Sequence, residues 1–257
     1  MTNDDALIGH TGFVGSNLRR QRDFAHLFNW TTIGEIDGGH FDDVVCAGVS
    51  AVKWWTNQNP DEDRDRIEGL MRHLETIRAR NFTLVSTIDV YAAPLGVTER
   101  DAPVLDGLHA YGRNRAMLER FVAERFASHQ IVRLPALFGH GLKKNAIYDL
   151  MHDNRVAVIN PASSFQWYPL DRLAADLKRA RGQALKLLNL ATEPVRMEAI
   201  RRRFFAASAI GADAAAAAHY DMRTIHDASF GGSAGTIMDK AAVLDAIGAF
   251  VNGGRAA

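Results

Sequence analysis

The sequence predicts an α/β protein built on a doubly wound parallel sheet, and two observations lead to this class. Short apolar runs alternate with helical segments along roughly the first 140 residues, as they do when helices cover both faces of a parallel sheet. The composition is that of an ordinary globular chain, because 47% of the 257 residues are hydrophobic and 23% are charged. This length allows one large domain, or one domain with a small appendage.

The strands and helices of the first half are predicted in the following order. A strand at 6–8 leads through closely spaced glycines into a helix from Phe13, and further strands are expected at 26–29 and 41–47. Asn59 to Glu62 combine a capping residue, a first-turn proline and acidic residues, which together predict the start of a helix. Apolar residues then follow a 3.6-residue period to Ile77. A buried strand at 82–87, a long helix at 111–126 and a strand at 131–134 complete this half.

The pattern is less regular after residue 139. Helices are predicted at 145–151, 170–181 and 196–205, and strands at 156–159 and 185–190. The alanine run at 214–218 predicts a helix or a loop, and the glycine-rich segment 230–235 predicts a surface loop. No internal repeat is present.

Charge and cysteine content exclude several functions. Lys and Arg number 30, as do Asp and Glu, so the chain lacks the broad basic field of a nucleic-acid binder. The single cysteine, Cys46, rules out an intramolecular disulfide and favours a buried, inert thiol. The ten histidines show no metal-binding spacing, so no metal site is expected. No apolar stretch approaches the roughly 20 residues that cross a bilayer, and we expect a cytoplasmic protein without a membrane partner.

A glycine triplet, Gly9-x-x-Gly12-x-x-Gly15, lies between the first strand and the first helix. Glycine lets the backbone turn tightly and approach a ligand, and the start of a helix offers N–H groups and partial positive charge. Glycines that serve only the turn would give the same triplet, but its position favours the diphosphate of a dinucleotide. The residues assigned to this cofactor are Gly9, Thr11, Gly12, Phe13, Val14 and Gly15.

The sequence does not choose between NAD and NADP. The adenosine ribose is usually read about 20 residues after the first glycine, which leads to Asn29. That residue is neither the acid typical of NAD binding nor an arginine for a 2′-phosphate. Ala47 and Gly48, after the third predicted strand, are assigned to the same cofactor site.

Three further motifs carry a resemblance to a known family. Ser86-Thr87-Ile-Asp-Val-Tyr91 closes a strand, Tyr111-Gly-Arg-Asn-Arg115 opens the long helix, and Ile131 to Gly139 follows. Together with the glycine triplet, they resemble the extended short-chain dehydrogenase/reductase superfamily, in its nucleotide-sugar epimerase, dehydratase and reductase group. The resemblance covers roughly residues 6–190. It implies a Rossmann-type dinucleotide-binding domain over residues 1–140, to which a strand and a helix near 170–205 also belong. Residues 141–257 would form a small substrate-binding portion that is intertwined with this domain.

The resemblance also implies catalytic roles. Tyr111 matches a tyrosine that acts as general acid or base toward a sugar carbonyl or hydroxyl, and Thr87 matches a residue that hydrogen-bonds the same oxygen. The fourth residue after the tyrosine is normally lysine, and here it is Arg115. A cation at i+4 lowers the pKa of a phenol, but an arginine cannot release a proton. We therefore expect Arg115 to keep the electrostatic role, and Tyr111 and Arg115 are also assigned to cofactor contact.

The substrate side is less specific. Lys143, Lys144 and Asn145 lie where the family contacts a nucleotide diphosphate, and Gln166 precedes two aromatic residues that suit a sugar pocket. A solvated loop and an ordinary core role remain open for these residues. His109 is the one histidine next to the catalytic helix. The resemblance further implies a homodimer formed through the helices at 61–80 and 111–127.

Two functions follow from the sequence. One is an NAD(P)-dependent oxidoreductase, epimerase or dehydratase that acts on a nucleotide-activated sugar. The alternative is a non-catalytic dinucleotide-binding sensor or regulatory protein, which Arg115 and the missing ribose acid favour. The sugar, the nucleotide, the reaction subtype and the cofactor stay open.

Overall fold

The computed structural model describes residues 4–255, which form ten β-strands and eight α-helices. In chain order they are β1 (Asp5–Ile8), α1 (Phe13–Arg19), β2 (His26–Phe28), β3 (His40–Cys46), α2 (Lys53–Gln58), α3 (Pro60–Thr76), β4 (Arg78–Thr87), α4 (Ala110–Arg125), β5 (His129–Leu134), β6 (Ala136–Phe138), α5 (Ala146–Met151), β7 (Ser164–Phe165), β8 (Trp167–Pro169), α6 (Leu173–Gly182), β9 (Leu187–Asn189), β10 (Val195–Arg196), α7 (Met197–Phe204) and α8 (Lys240–Arg255). Short 3₁₀ turns lie at Ile33–Ile36, Ile88–Val90, Val156–Val158, Leu170–Arg172 and Asp227–Phe230.

Six of the strands form the central parallel sheet, in the order β2-β1-β3-β4-β5-β9. Leu7 of β1 is paired with Leu27 of β2 on one side and with Val45 of β3 on the other. The strand order therefore turns back between β1 and β3. In a doubly wound sheet, ligands bind outside the carboxyl ends of the strands at such a point. The predicted fold class is confirmed, and the glycine triplet follows β1 at this edge.

Apolar packing holds α3 and α4 against the sheet. The ring of Phe82 on β4 stacks on that of Phe126 at the end of α4, with centroids 4.1 Å apart. Burying such side chains stabilises the chain by about 1.5–3 kcal/mol each, so the position of α4 is strongly determined. The helix residues in this core are Ile67, Leu70, Leu74, Leu118 and Val122.

The chain divides into two compact units. The first comprises residues 4–93, 101–133 and 173–188, and the second comprises 94–100, 134–172 and 189–255. The chain passes from the first unit to the second after residue 133, seven residues before the predicted boundary at residue 140. The second unit contains the parallel pair β6 and β8, the antiparallel pair β7 and β10, and the helices α5, α7 and α8. Within residues 4–255, no helix combines the length and apolar character that crossing a bilayer needs.

Two local predictions were wrong. The strand predicted at 156–159 is a 3₁₀ turn over Val156–Val158, because the preceding Arg155 takes a left-handed conformation with φ of 49° and turns the chain. Asn59 does not cap α3 with its side chain, since its amide donates to the Trp55 carbonyl oxygen at 2.9 Å. This bond caps the end of α2, a helix that the sequence analysis missed, as it missed α8.

Candidate active site

The glycine turn joins β1 to α1 at the carboxyl edge of the sheet. Gly9 has φ of 86°, and its N–H donates to the Phe28 carbonyl oxygen at 2.7 Å. A Cβ at Gly15 would collide with the Gly9 carbonyl oxygen, so the first turn of α1 closes against the strand only with glycine there. Gly12 is less constrained, because its Cβ would lie 3.3 Å from the same oxygen.

Ala47 and Gly48 bring a second backbone to this edge. The Ala47 N–H donates to the Ile8 carbonyl oxygen at 2.9 Å, and a Cβ on Gly9 would lie 2.5 Å from the Ala47 carbonyl oxygen. Two backbones therefore meet with no side chain between them. Gly12 and Gly48 remain exposed beside the start of α1, where helix N–H groups lack intrahelical partners. This arrangement fits the diphosphate of a dinucleotide.

Asn29 follows β2 and forms a local turn with Thr31 and Thr32. Its Oδ1 accepts the Thr31 N–H at 2.9 Å, the Thr31 hydroxyl at 2.7 Å and the Thr32 N–H at 3.2 Å. The side-chain carbonyl is thus used inside the loop, and the amide NH₂ is the part of Asn29 suited to a ribose. An amide donor suits a ribose hydroxyl and a phosphate equally, so the choice between NAD and NADP stays open.

Thr87 and Tyr111 lie together where β4 ends and α4 begins. The Thr87 hydroxyl accepts the Asp89 N–H at 3.2 Å and hydrogen-bonds the phenol of Tyr111. This contact favours the phenolate and lowers the pKa of the phenol, to a lesser extent than burial raises it. Tyr111 is 7% exposed, and its N–H donates to Oδ1 of Asn57 on α2 at 3.1 Å. The structure therefore brings together the two side chains that the sequence assigned to proton transfer.

His109 and Gly112 fix the start of α4. The Gly112 N–H donates to Nδ1 of His109 at 3.0 Å, which makes the imidazole the cap of the helix. A Cβ at Gly112 would collide with the Asp89 carbonyl oxygen, so glycine lets the helix approach the segment after β4. Burial and then the charge of Lys53 lower the pKa of His109. With Nδ1 accepting, the neutral ring carries its proton on Nε2.

Arg115 is committed to a buried ion pair that the sequence analysis missed. Its Nη1 and Nη2 lie 2.5 and 2.9 Å from the two carboxylate oxygens of Asp63, and Nη2 also donates to the Ser50 carbonyl oxygen at 2.5 Å. Asp63 further accepts from the Thr56 hydroxyl at 2.9 Å and from the Asn114 amide at 2.8 Å. Both terminal nitrogens therefore have protein acceptors, whereas the buried Nε has no hydrogen-bond partner among the described residues. The cofactor contact expected of Arg115 stays a prediction.

Arg115 lowers the pKa of Tyr111 as expected, but the net shift of that pKa is upward. Burial raises the pKa of the phenol above its ordinary value. The guanidinium of Arg115, 4.0 Å from the ring centroid, opposes this shift but does not reverse it. Desolvation of the charged form outweighs the cation, whose charge Asp63 also compensates. At neutral pH the phenol is protonated, and it can act first as a proton donor.

A second ion pair stands beside the phenol. Lys53 Nζ lies 2.7 Å from Asp89 Oδ1, and the side chains are 39% and 18% exposed. Asp89 raises the pKa of Tyr111, whereas Lys53 lowers it, both to a lesser extent than burial. No sequence signal links these residues, because they lie 36 positions apart and Lys53 opens the unpredicted α2.

The predicted substrate residues belong to the second unit. Asn145 caps α5 through the Ile147 and Tyr148 N–H groups, and its amide donates to the Leu137 carbonyl oxygen at 2.8 Å. Lys143 and Lys144 precede this cap, and loss of solvent lowers the pKa of Lys144.

Gln166 has a structural environment in this second unit. It is 1% exposed and hydrogen-bonds the carbonyl oxygens of Thr192 and Met222 and the Met222 N–H. Its amide groups are therefore used by the backbone. These contacts are those of an ordinary core residue, which is one of the two roles that the sequence left open for Gln166.

No family model matches the sequence, and no curated protein is similar to it. Solved structures are similar in fold. A dTDP-4-dehydrorhamnose reductase from Bacillus anthracis, in complex with NADP, is 13% identical, with 98% of this chain and 100% of that chain covered and a TM-score of 0.75. TunA, an NAD-dependent NDP-hexosamine 5,6-dehydratase, is 16% identical, with 98% of each chain covered and a TM-score of 0.75. A UDP-glucose 4-epimerase from Thermotoga maritima is 11% identical, with 98% of each chain covered and a TM-score of 0.72. At these identities the likeness establishes a shared fold.

Proposed function

We propose that this chain is an NAD(P)-dependent enzyme that acts on a nucleotide-activated sugar as a reductase, epimerase or dehydratase. One observation carries the proposal: Thr87 hydrogen-bonds the buried phenol of Tyr111 in the same unit as the glycine turn. The reductase, dehydratase and epimerase that share the fold support this reaction class.

The cofactor is proposed to lie at the carboxyl edge of β1 and β3. Gly9, Gly12 and Gly15 would admit its diphosphate, Ala47 and Gly48 would border it, and Asn29 would reach a ribose. A bound nicotinamide supplies hydride exchange with a carbinol carbon. Thr11, Phe13 and Val14 contribute the backbone that borders the same ligand.

Tyr111 is proposed as the acid/base group. Its raised pKa keeps the proton on the phenol at neutral pH, so it can donate that proton to a carbonyl oxygen that becomes a hydroxyl. In the reverse direction, the phenolate takes the proton from a hydroxyl. The Thr87 hydroxyl, which lies against the phenol, would donate its one proton to the same ligand oxygen. Arg115 acts from behind the ring as a fixed charge.

We retain Lys143 and Lys144 as proposed contacts of an anionic nucleotide, because two cations on a chain with no net charge suit a dianionic ligand. Asn145 and Gln166 stay predicted substrate contacts, and both side chains also hydrogen-bond backbone groups of the second unit. A homodimer through α3 and α4 is also proposed, supported by Val104 and Leu105, which are 64% and 44% exposed before α4. The cytoplasmic location and the absence of a nucleic-acid partner stay sequence predictions.

A non-catalytic dinucleotide-binding protein is the second candidate. The ion pair of Arg115 with Asp63 favours it, because the cation in the position of the family's lysine is bound to a buried carboxylate. The two functions predict the same cofactor binding and differ in turnover. A sensor would bind the dinucleotide without converting any sugar.

The test starts with the purified chain. Mass spectrometry of the denatured protein identifies a copurified dinucleotide, and the chain is then given NAD or NADP with UDP-, dTDP- and GDP-linked sugars bearing a 4-keto or 4-hydroxyl group. We expect one sugar to be converted by the wild type, and Tyr111→Phe to be slower by roughly 10²- to 10⁴-fold with unchanged dinucleotide affinity. Wild-type turnover by Tyr111→Phe would overturn the assignment. Binding without conversion of any sugar would support the sensor.

A further inference from the structure

A buried network of four side chains joins both ends of the turn that carries Thr87, and the proposed mechanism gives this network no role. Its members are Ser86 near the end of β4, Tyr91 after the turn, Glu119 on α4 and Arg133 on β5. Each of the four is at most 9% exposed, so their contacts are made away from solvent.

The two charged members form a bidentate ion pair. Arg133 Nη2 lies 2.6 Å from Glu119 Oε2, and its Nε lies 3.0 Å from Glu119 Oε1. A planar guanidinium that binds a carboxylate through two N–H groups fixes orientation as well as distance. The pair therefore connects β5 rigidly to α4, the helix that carries Tyr111 in its first turn.

Each partner of the ion pair also holds one end of the segment 86–91. Ser86 Oγ donates to Glu119 Oε1 at 2.5 Å, and Arg133 Nη1 donates to the Tyr91 hydroxyl at 2.6 Å. The guanidinium also lies over the Tyr91 ring, 4.8 Å from its centroid. The segment is thus anchored to the same ion pair at both ends.

The middle of the segment packs directly on the start of α4. A Cβ at Gly112 would collide with the Asp89 carbonyl oxygen, and the Asp89 N–H donates to the Thr87 hydroxyl at 3.2 Å. The Tyr91 N–H donates to the Ile88 carbonyl oxygen at 3.1 Å. A shift of either end would therefore move Thr87 relative to the helix.

We propose that the Glu119–Arg133 pair positions the segment 86–91 against α4. Its role is to keep Thr87 and Tyr111 within reach of one ligand oxygen. Because both charged groups act through the segment, they are positioning residues. The consequence for turnover rests on the proposed function, whereas the effect on the segment does not.

A purely structural ion pair would give a different result. Replacing both charges by apolar side chains of similar volume restores most of the stability that is lost when one charge is removed. If the pair only stabilises the fold, the double variant Glu119→Leu with Arg133→Met resembles the wild type in every other respect. If the pair positions the segment, the double variant is stable and its segment is loose.

The experiment measures local order by amide hydrogen exchange, followed by NMR in ¹⁵N-labelled protein. The N–H groups of residues 89 and 91 report on the segment, and the N–H of Val45 in the central β3 reports on global opening. The variants are Tyr91→Phe, which removes only the hydroxyl that Arg133 binds, and the double variant.

Arg181→Met is the matched control. Arg181 on α6 also binds a buried carboxylate, that of Asp43, at 2.5 Å, and it donates to the Thr83 hydroxyl of β4 at 3.0 Å. Thr83 precedes the segment on the same strand, so this variant removes an arginine–carboxylate contact and leaves both anchors of the segment in place.

We expect the N–H of Asp89 to exchange roughly tenfold faster in Tyr91→Phe and roughly 10- to 100-fold faster in the double variant, because hydrogen bonds to charged groups are lost. The N–H of Val45 should accelerate less than the segment in both, and Arg181→Met should leave the segment at its wild-type rate. In an active enzyme, the double variant should lower kcat by roughly 10- to 100-fold, with unchanged KM for the sugar and unchanged dinucleotide affinity.

Wild-type exchange of the segment in the double variant would overturn the proposal, as would equal acceleration of the segment and Val45. An unchanged kcat of an active enzyme in the double variant would also overturn it. If the double variant does not fold, Tyr91→Phe decides, and wild-type exchange of its segment refutes the positioning role. A wild-type chain that converts no sugar rejects the proposed function alone, because the exchange rates are measured without turnover.

Discussion

Removing the charge of Asp63 should destabilise the protein far more than removing a neighbouring charge on the same helix. Asp63 is 2% exposed and accepts four hydrogen bonds, two of them from the guanidinium of Arg115. In Asp63→Asn, the buried guanidinium loses its counter-ion. The amide NH₂ of the new side chain also replaces an acceptor with a donor.

The magnitude follows from this burial. Breaking a buried ion pair by removing one partner costs about 3–5 kcal/mol, since the other charge stays desolvated and uncompensated. Glu62, one residue earlier, pairs with Arg66 on the surface, where the side chains are 54% and 47% exposed. Such a pair contributes about 0–1 kcal/mol, so Glu62→Gln is the matched control.

The assay is urea unfolding followed by circular dichroism and tryptophan fluorescence, with coincident transitions required before a free energy is derived. The double variant Asp63→Leu with Arg115→Met should recover most of the loss, because it removes both buried charges. A loss below about 1 kcal/mol for Asp63→Asn, or one equal to that of Glu62→Gln, would refute the buried pair.

Three further outcomes are expected. Gly15→Ala should weaken dinucleotide binding by at least about 100-fold in a fluorescence titration, because the added Cβ collides with the glycine turn. The control Gly38→Ala, at φ of 71° in open space, should lower the free energy of unfolding by about 1 kcal/mol and leave binding intact. Equal dinucleotide affinities of the two variants would contradict this prediction. Burial raises the pKa of the Cys46 thiol from 9.0 to about 11, so the contribution of the protonated thiol to stability is complete below pH 9.0 and is lost as pH rises through 11. Cys46→Ala should therefore reduce the alkaline fall of the free energy of unfolding by up to roughly 3 kcal/mol. An unchanged dependence of that free energy on pH would contradict this prediction. Gln166→Leu should destabilise the chain by about 2–4 kcal/mol, because buried backbone groups of Thr192 and Met222 lose their hydrogen-bond partner. The KM for a nucleotide sugar should stay unchanged. A raised KM at wild-type stability would instead support a substrate contact by Gln166.

The fold and the proximity of Thr87 to Tyr111 could be predicted because their signals are local. Gly9, Gly12 and Gly15 mark a strand, a tight turn and a helix within a few residues, and the end of β4 and the start of α4 are equally readable. Parallel strands with their carboxyl ends at one edge then bring Thr87 to Tyr111.

The electrostatics of the site could not be predicted in this way. Asp63 lies 52 positions from Arg115, and an acid in the first turn of a helix is ordinarily explained by the helix dipole. The sign of the Tyr111 pKa shift depends on burial, which the i+4 spacing does not contain. Asn145 and Gln166 have the residue types of ligand contacts, but their long-range partners are backbone groups.

The proposed function requires Tyr111 to exchange a proton with a sugar oxygen as the adjacent carbon exchanges a hydride, which a nicotinamide would supply or accept. Rapid mixing of the dinucleotide-loaded chain with its nucleotide sugar, followed at the absorbance band of reduced nicotinamide, tests it most directly. We expect that band to change within one turnover of the wild type, and to change more slowly by orders of magnitude in Tyr111→Phe. A band that changes equally fast in both proteins would contradict it, as would sugar conversion while the band in both proteins stays constant.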